Sequence, residues 1–291
     1  MIKPLFAALA LLLAGNAAAQ DDANRKAAQQ LIDSLQFQSG TINVAGAHAT
    51  LNLNSQFRFL DAPNAQRVLS DLWGNPPDSD VLGMLVPVAA PLSDPQKSWA
   101  VVISYSDEGH VSDKDAASTD YDAMLKEMQE GAAEANAERK RAGYPEVELV
   151  GWATKPHYDA QTAKLYWAKE LSFDGGREHT LNYDIRVLGR GGYLSLNAVA
   201  GMHQLHQIES EMQNVIEMTE FDQGQRYSDF NASTDKVAAY GIAALVAGTI
   251  AAKAGLFAKL FVLLLAFKKF AIVGFVAIAA AVRKFFGRAK A

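Results

Sequence analysis

The chain has 291 residues, no cysteine, and 27 Lys and Arg against 32 Asp and Glu, for a formal charge of −5. Without cysteine there are no disulfide staples and no thiol chemistry, so any folded domain rests on its apolar core. The charge is unevenly divided: every Asp and Glu lies at or before Asp235, while Lys236 to Ala291 carries nine Lys and Arg and no acid.

Lys3, the apolar run Leu5 to Ala14 and the small residues Ala17 to Ala19 ahead of Gln20 have the layout of a signal peptide over residues 1–19. That run is about ten residues, half of what a membrane span needs. Once it is removed, the body up to Asp235 holds 17 basic against 32 acidic residues, a net of −15. An acidic body excludes nucleic-acid phosphates as a partner, because that affinity comes from Lys and Arg. The expected exported domain, 20–236, is long enough to bury roughly 70% of its unfolded surface.

Within it, Ala23 to Leu35 reads as an Ala-rich helix, and "TINVAGAHATLNL" (Thr41 to Leu53) as a hairpin. Asp61 ahead of Pro63 predicts a capped helix that runs to Trp73 and stops at "WGNPPD". Strands follow near Val81 to Val88 and Trp99 to Tyr105. Tyr121, Met124, Leu125, Met128, Ala132 and Ala135 recur at helical spacing, which makes Asp120 to Arg141 an amphipathic helix, capped by Ser118 or Thr119 and ended by Gly143 and Pro145. The stretch after it alternates with period two. Val147 and Leu149, then Leu165 and Trp167, then Leu181, Tyr183, Ile185 and Val187, then "YLSLNAV" are separated by turns at His157 to Thr162, Gly175-Gly176 and "GRGG". This predicts an antiparallel meander with one buried face, closed by a helix from Met202 to Met218. The expected class is α+β, with a membrane region at the C-terminus.

Val237 to Ala258 is apolar apart from Lys253, about 22 residues and enough to span. Phe270 to Val282 is too short to cross alone, and joining it to Leu260 to Phe267 buries Lys268 and Lys269 near mid-membrane. The preferred reading is one crossing over 237–258 within an anchor region 237–282, with a helical hairpin turning near Lys268 and Lys269 as its rival. Lys253, Lys259, Lys268, Lys269, Arg283 and Lys284 then mark the membrane interface. The basic tail 283–291 stays cytoplasmic against inner-leaflet lipids, and the main domain faces the periplasm.

The segments "FRFLDA", "LWGNPPD", "LGMLVP", "SWAVVISYSDEGHVSDKDA", "GYPEVELVGWATKPHYD", "LYWAKEL", "LNYDIRVLGRGGYLSLNAV" and "STDKVAAYGIAALVAG" resemble, in order and from Phe57 onward, the bacterial membrane-anchored family called domain of unknown function 2167. The resemblance implies an exported domain with a C-terminal anchor. It supplies no activity and no catalytic residues.

No motif stands out for chemistry. His203, His206 and Glu209 share a helical face but lack His-Glu-x-x-His, so they read as solvated residues rather than metal ligands. The acidic loop with Asp107, Glu108, Asp113, Asp115 and Asp120 lacks the glycine and glutamate of a calcium loop. Ser104, Ser106 and Ser195 have no Gly-x-Ser-x-Gly elbow; "LGRGGY" reads as a tight hairpin rather than a phosphate loop, and Asp184 with Arg186 as a structural pair. No cofactor is implied. The favoured expectation is a non-enzymatic envelope module that binds a protein partner through Asp107, Glu108, Asp113 and Asp115. The alternative is an envelope hydrolase built on Asp113, Asp115, His110 and His157, which requires those side chains to converge in a pocket.

Overall fold

The computed structural model describes residues 18–44, 46–94 and 97–248, and the side chains among them from Arg25 onward. In chain order the elements are α1 (Ala18–Asp33), β1 (Thr41–Val44), β2 (Ala49–Asn52), β3 (Phe57–Asp61), α2 (Ala62–Arg67), β4 (Val81–Pro87), β5 (Ala100–Ser106), β6 (His110–Ser112), α3 (Tyr121–Arg141), β7 (Val147–Asp159), β8 (Lys164–Phe173), β9 (Thr180–Leu188), β10 (Tyr193–Gly201), α4 (Leu205–Glu217), β11 (Thr219–Phe221), β12 (Val237–Gly241) and α5 (Ile242–Ala247).

Seven strands form one sheet in the order β3-β4-β5-β10-β9-β8-β7, every neighbouring pair antiparallel. The meander β7 to β10 is its local half. β5, which precedes β10 by nearly ninety residues, joins that half to β3 and β4. A three-stranded sheet, β1-β2-β11, and the helix α4 cover one face. There Ile42, Leu51, Phe57, Trp99, Ile103, Ile185, Leu196, Ile208 and Met212 form the main core. Trp99 meets Phe57 edge-to-face at 5.9 Å, the arrangement that aromatic quadrupoles favour.

Strand alternation sends the other half of each strand to the second face. At one end α1 and α2 pack there with Leu60, Val68, Met84, Val102 and Val199. At the other, α3 and α5 lie with Val147, Leu165, Trp167, Leu171, Ile242 and Leu245. β7 is an edge strand whose outer rim is occupied by α3 side chains. Asn136 donates to the Val147 carbonyl at 2.9 Å and accepts from its N–H at 2.8 Å, and Gln129 donates to the carbonyls of Leu149 and Val150. Three register shifts kink the same strand, a second protection against edge pairing.

The α+β class, the meander and the packed helices agree with expectation, and so do local details. Asp61 caps α2 by accepting from Asn64 N–H at 3.1 Å, and the helix passes through a π-turn, Val68–Leu72, to Trp73. Asp120 caps α3 through the N–H groups of Asp122 and Ala123, where Ser118 or Thr119 was expected; these two hydroxyls instead donate to the Asp115 carbonyl. α1 starts at Ala18, so the expected cleavage site after Ala19 falls in its first turn, and residues 1–17 lie outside the described residues.

Two further expectations are corrected. The meander buries both faces rather than one: along β9 only Arg186 is not fully buried. The membrane helix expected to begin at Val237 does not begin there. Val237–Gly241 is β12, paired in parallel with β6, and Ile242–Ala247 is α5, with Ile242, Leu245 and Val246 buried in the domain. Core packing accounts for the apolarity that read as lipid-facing. Among the described residues no helix is long and apolar enough to cross a membrane. The folded unit closes at Ala247. Lys253, Lys259, Lys268, Lys269, Arg283 and Lys284 lie outside the described residues.

Candidate functional site

The acidic loop that sequence singled out holds the C-terminal strand of the domain. Asp115 accepts from the N–H groups of Ile242 and Ala243 at 2.9 and 3.0 Å, capping α5 from a distant part of the chain. Its carboxylate fits there because residue 241 is glycine: a Cβ at Gly241 would stand 2.5 Å from both oxygens. Asp113 accepts from the Tyr158 hydroxyl at 3.0 Å. Burial, then Asp113, pushes the Tyr227 hydroxyl up to about 12. Burial and then Glu108 raise the Tyr240 hydroxyl above its ordinary range. Only Asp107 of the four is exposed, the other three being half-buried. The segment leading into β12 is clamped from the β9–β10 turn, where Arg190 donates to Asp235 through Nε at 2.7 Å and Nη2 at 2.9 Å. Arg190, with the backbone N–H of Asn231, holds the Asp235 carboxyl well below the usual carboxylate range.

The residues of the hydrolase alternative do not form one group. His110 is sandwiched between Tyr227 and Phe230 at 4.3 and 3.8 Å, and burial lowers its pKa. His157 is exposed on β7, and both oxygens of Asp115 are occupied by the α5 cap. His203 and His206 are exposed, and Glu209 accepts from Thr154 at 2.9 Å. Among the described residues no group of three or more His, Asp or Glu is arranged to hold a metal. Two of the three glycines of "GRGG" serve packing: a Cβ at Gly192 would run into the Ser106 carbonyl, and one at Gly189 into Phe221, whereas Gly191 has open space around it.

A polar constellation enclosed by the fold lies on the second face of the seven-stranded sheet, between its two apolar clusters. Register sets it out in adjoining rows. Trp167 on β8 stands opposite Asp184 on β9, and Asp184 opposite Asn197 on β10; Lys169 stands opposite Asn182, and Arg186 opposite Ser195. Asp184 is 2% exposed and receives Arg186 Nη1 at 3.1 Å, Asn197 Nδ2 at 2.9 Å and the Lys169 ammonium at 3.2 Å from its second oxygen. Burial opposes its ionisation, but the Lys169 and Arg186 charges outweigh burial and hold the carboxyl below its ordinary range. Arg186 also lies 4.9 Å from the Trp167 ring and 5.8 Å from that of Tyr193, within cation–π reach.

One feature of this patch is not explained by its internal pairing. Both amide atoms of Asn182, which is 0% exposed, have no hydrogen-bond partner, nor do Asn197 Oδ1 and Trp167 Nε1. Buried polar atoms are nearly always paired, and each exception calls for a water, an ion or a ligand. Sequence reasoning found the Asp184–Arg186 pair, but with one buried face assigned to Leu181, Tyr183, Ile185 and Val187 it left the residues between them outside the core. The available signal was residue type, since Asn and Asp are depleted in strands, and their recurrence here marks a special position.

Among solved structures the chain is similar to cyanobacterial PsbP (CyanoP) from Synechocystis, at 11% identity and a TM-score of 0.34 over 65% of this chain and 92% of that one. It is also similar to the Ran-binding protein Mog1p of Saccharomyces cerevisiae, at 10% identity and a TM-score of 0.32 over 68% and 100% of the two chains. A third is LpqN of Mycobacterium tuberculosis, described as involved in cell envelope biogenesis, at 15% identity and a TM-score of 0.30 over 66% and 94%. Likenesses this remote carry no function across. No curated protein sequence matches the chain. The sequence profile of the family described as protein of unknown function, DUF2167, matches residues 36–279, most of the chain, and the protein belongs to that family.

Proposed function

We propose that this protein is an exported, membrane-anchored binding module of the bacterial envelope. The observation that carries the anchoring is where the fold ends. α5 is packed into the domain up to Ala247, directly ahead of a segment, 248–291, that is apolar, basic and free of acid. The eleven residues 237–247 belong to the domain, so the membrane-associated stretch is the part beyond them, up to Val282. Its lysines and the terminal Arg283 and Lys284 lie at the lipid interface. Tethering to the membrane raises the effective concentration of the domain for other envelope components, so weak contacts suffice. The acidic body favours a partner with a basic face, met through exposed groups such as Asp107.

Binding rather than turnover is the reading best supported by the side chains. Of the groups a hydrolase would use, Asp115 caps α5, Asp113 accepts from Tyr158 and His110 is stacked between rings, whereas the patch around Asp184 keeps unpaired donors and acceptors. Alkaline phosphatase fused after Ala247 and after Lys290 tests location and orientation in intact cells. Activity at the first fusion and none at the second is expected. Activity at neither means that the domain is not exported, and activity at both places the tail outside.

A further inference from the structure

We infer that His110 is the trigger of an acid-opened latch: a proton on its ring frees the turn 226–236 that covers it and loosens the start of β12 from β6. The latch rests on the exported-module reading only for its use, since an exported domain meets the pH of its surroundings and this device gives it a second state there.

His110 begins β6 where the chain leading into β12 lies against it. Its N–H donates to the Lys236 carbonyl at 2.9 Å, and Val237 is its partner in the strand register. The two backbones approach closely: φ is +116° at Gly109, and a Cβ there would stand 2.8 Å from backbone atoms of Val237 and Ala238. The imidazole, 9% exposed, is stacked on Tyr227 and Phe230 at 4.3 and 3.8 Å, and the Tyr227 hydroxyl ties the covering turn to β6 by donating to the Val111 carbonyl at 3.0 Å. The ring is hydrated on both faces only when that turn lifts. Further on, the Asp115 cap holds α5 independently, which confines the opening to the turn and the first residues of β12.

The closed latch suits a neutral ring. An imidazolium carries a proton on both nitrogens, and Nδ1 is buried without a hydrogen-bond partner, so its proton has no acceptor. The neighbouring charges are committed elsewhere: Asp113 accepts from Tyr158 on β7, and Asp235 on the incoming segment is matched by Arg190 on the β9–β10 turn. These two carboxylates and the carbonyls of Gly189 and Arg190 favour the cation, but burial outweighs them and holds the pKa of the ring below its ordinary value. Once the turn lifts, the ring regains that ordinary value, about 6.5. Above it both forms are neutral and pH has no effect. Below it the open form alone takes the proton, so acid favours opening by up to about tenfold per pH unit, until the lower value of the closed form is passed.

The test is amide hydrogen exchange of the full detergent-solubilised chain at about pH 7.5, 6.5 and 5.5, corrected for the intrinsic rate at each pH. Protection of residues 227–237 should fall by up to about tenfold from the highest pH to the lowest, while that of β8 to β10 holds. His110→Phe keeps a ring in the stack but takes no proton, and should flatten the dependence; His110→Gln, also uncharged, serves if the phenyl ring prevents folding. The inference fails if protection of 227–237 changes by less than about twofold in the wild type, if β8 to β10 lose protection in parallel, or if the uncharged variant keeps the wild-type dependence. Any of these leaves the anchoring untouched, because anchoring is read by the fusions.

Discussion

Replacing Asp115 by Ala should loosen the end of the domain from a position 127 residues away in sequence. The carboxylate makes two charge-assisted bonds, at 2.9 and 3.0 Å, to the first N–H groups of α5. Bonds to a charged partner contribute about 1.5–3 kcal/mol each, and the freed donors are half-buried, so water recovers part of the loss. A net cost of about 2 kcal/mol is expected, a fall of about 4–8 °C in melting temperature for a domain of this size. Calorimetry on the full chain reads the global effect, and amide hydrogen exchange should show protection lost first at Ile242 and Ala243. Asp107→Ala, at an exposed position in the same loop, should change stability by less than about 0.5 kcal/mol. Gly241→Ala should be costly beside Asp115 and much less costly in the Asp115→Ala background, because the Cβ clash is with that carboxylate. If Asp115→Ala and Asp107→Ala melted alike and exchange at Ile242 were unchanged, the assignment of the loop as the seat of α5 would be wrong.

Asp184→Asn should cost about 3–5 kcal/mol in urea unfolding, since it strands Lys169 and Arg186 without their anion. Arg190→Gln should lower stability in a pH-dependent way. The Asp235 carboxyl is depressed in the folded state, so its stabilisation is present above the unfolded carboxylate range, about 4, and disappears as the pH falls through the depressed folded value. The gap in melting temperature between wild type and variant should therefore be widest near neutrality and close in acid. Gly192→Ala should destabilise by several kcal/mol, seen as poor soluble yield or early melting, because the added methyl meets the Ser106 carbonyl.

Much of the fold was legible because it is local. Alternation in β8 to β10, helical spacing from Met124 to Ala132 and the Asp61 and Pro63 pair each act over a few residues, and the structure contains the elements they predict. Three things were not legible for one shared reason: they depend on what lies across the sheet. Period two shows which residues share a face but not whether that face is covered, so Asn182 and Asp184 fell outside the one face expected to be buried, although both are enclosed. A run such as "VAAYGIAALVA" is apolar whether it meets lipid or protein; only the pairing of β12 with β6 and the Asp115 cap make it core. The acidic loop looked free because its partners, Ile242, Ala243 and Tyr158, are far away in sequence. The caps at Asp61 and Asp120, in contrast, bond within three residues and need no such knowledge.

The account's central claim is a folded domain complete at Ala247 and held at the membrane by the apolar, basic segment 248–291. Alkaline carbonate extraction of two chains from isolated membranes tests it most directly. One chain is full length and the other ends at Gly248. The account predicts that the full chain stays with the membranes, while the shortened chain is released and melts cooperatively at the temperature of the intact domain. Release of the full chain, or retention of the shortened one, would contradict it.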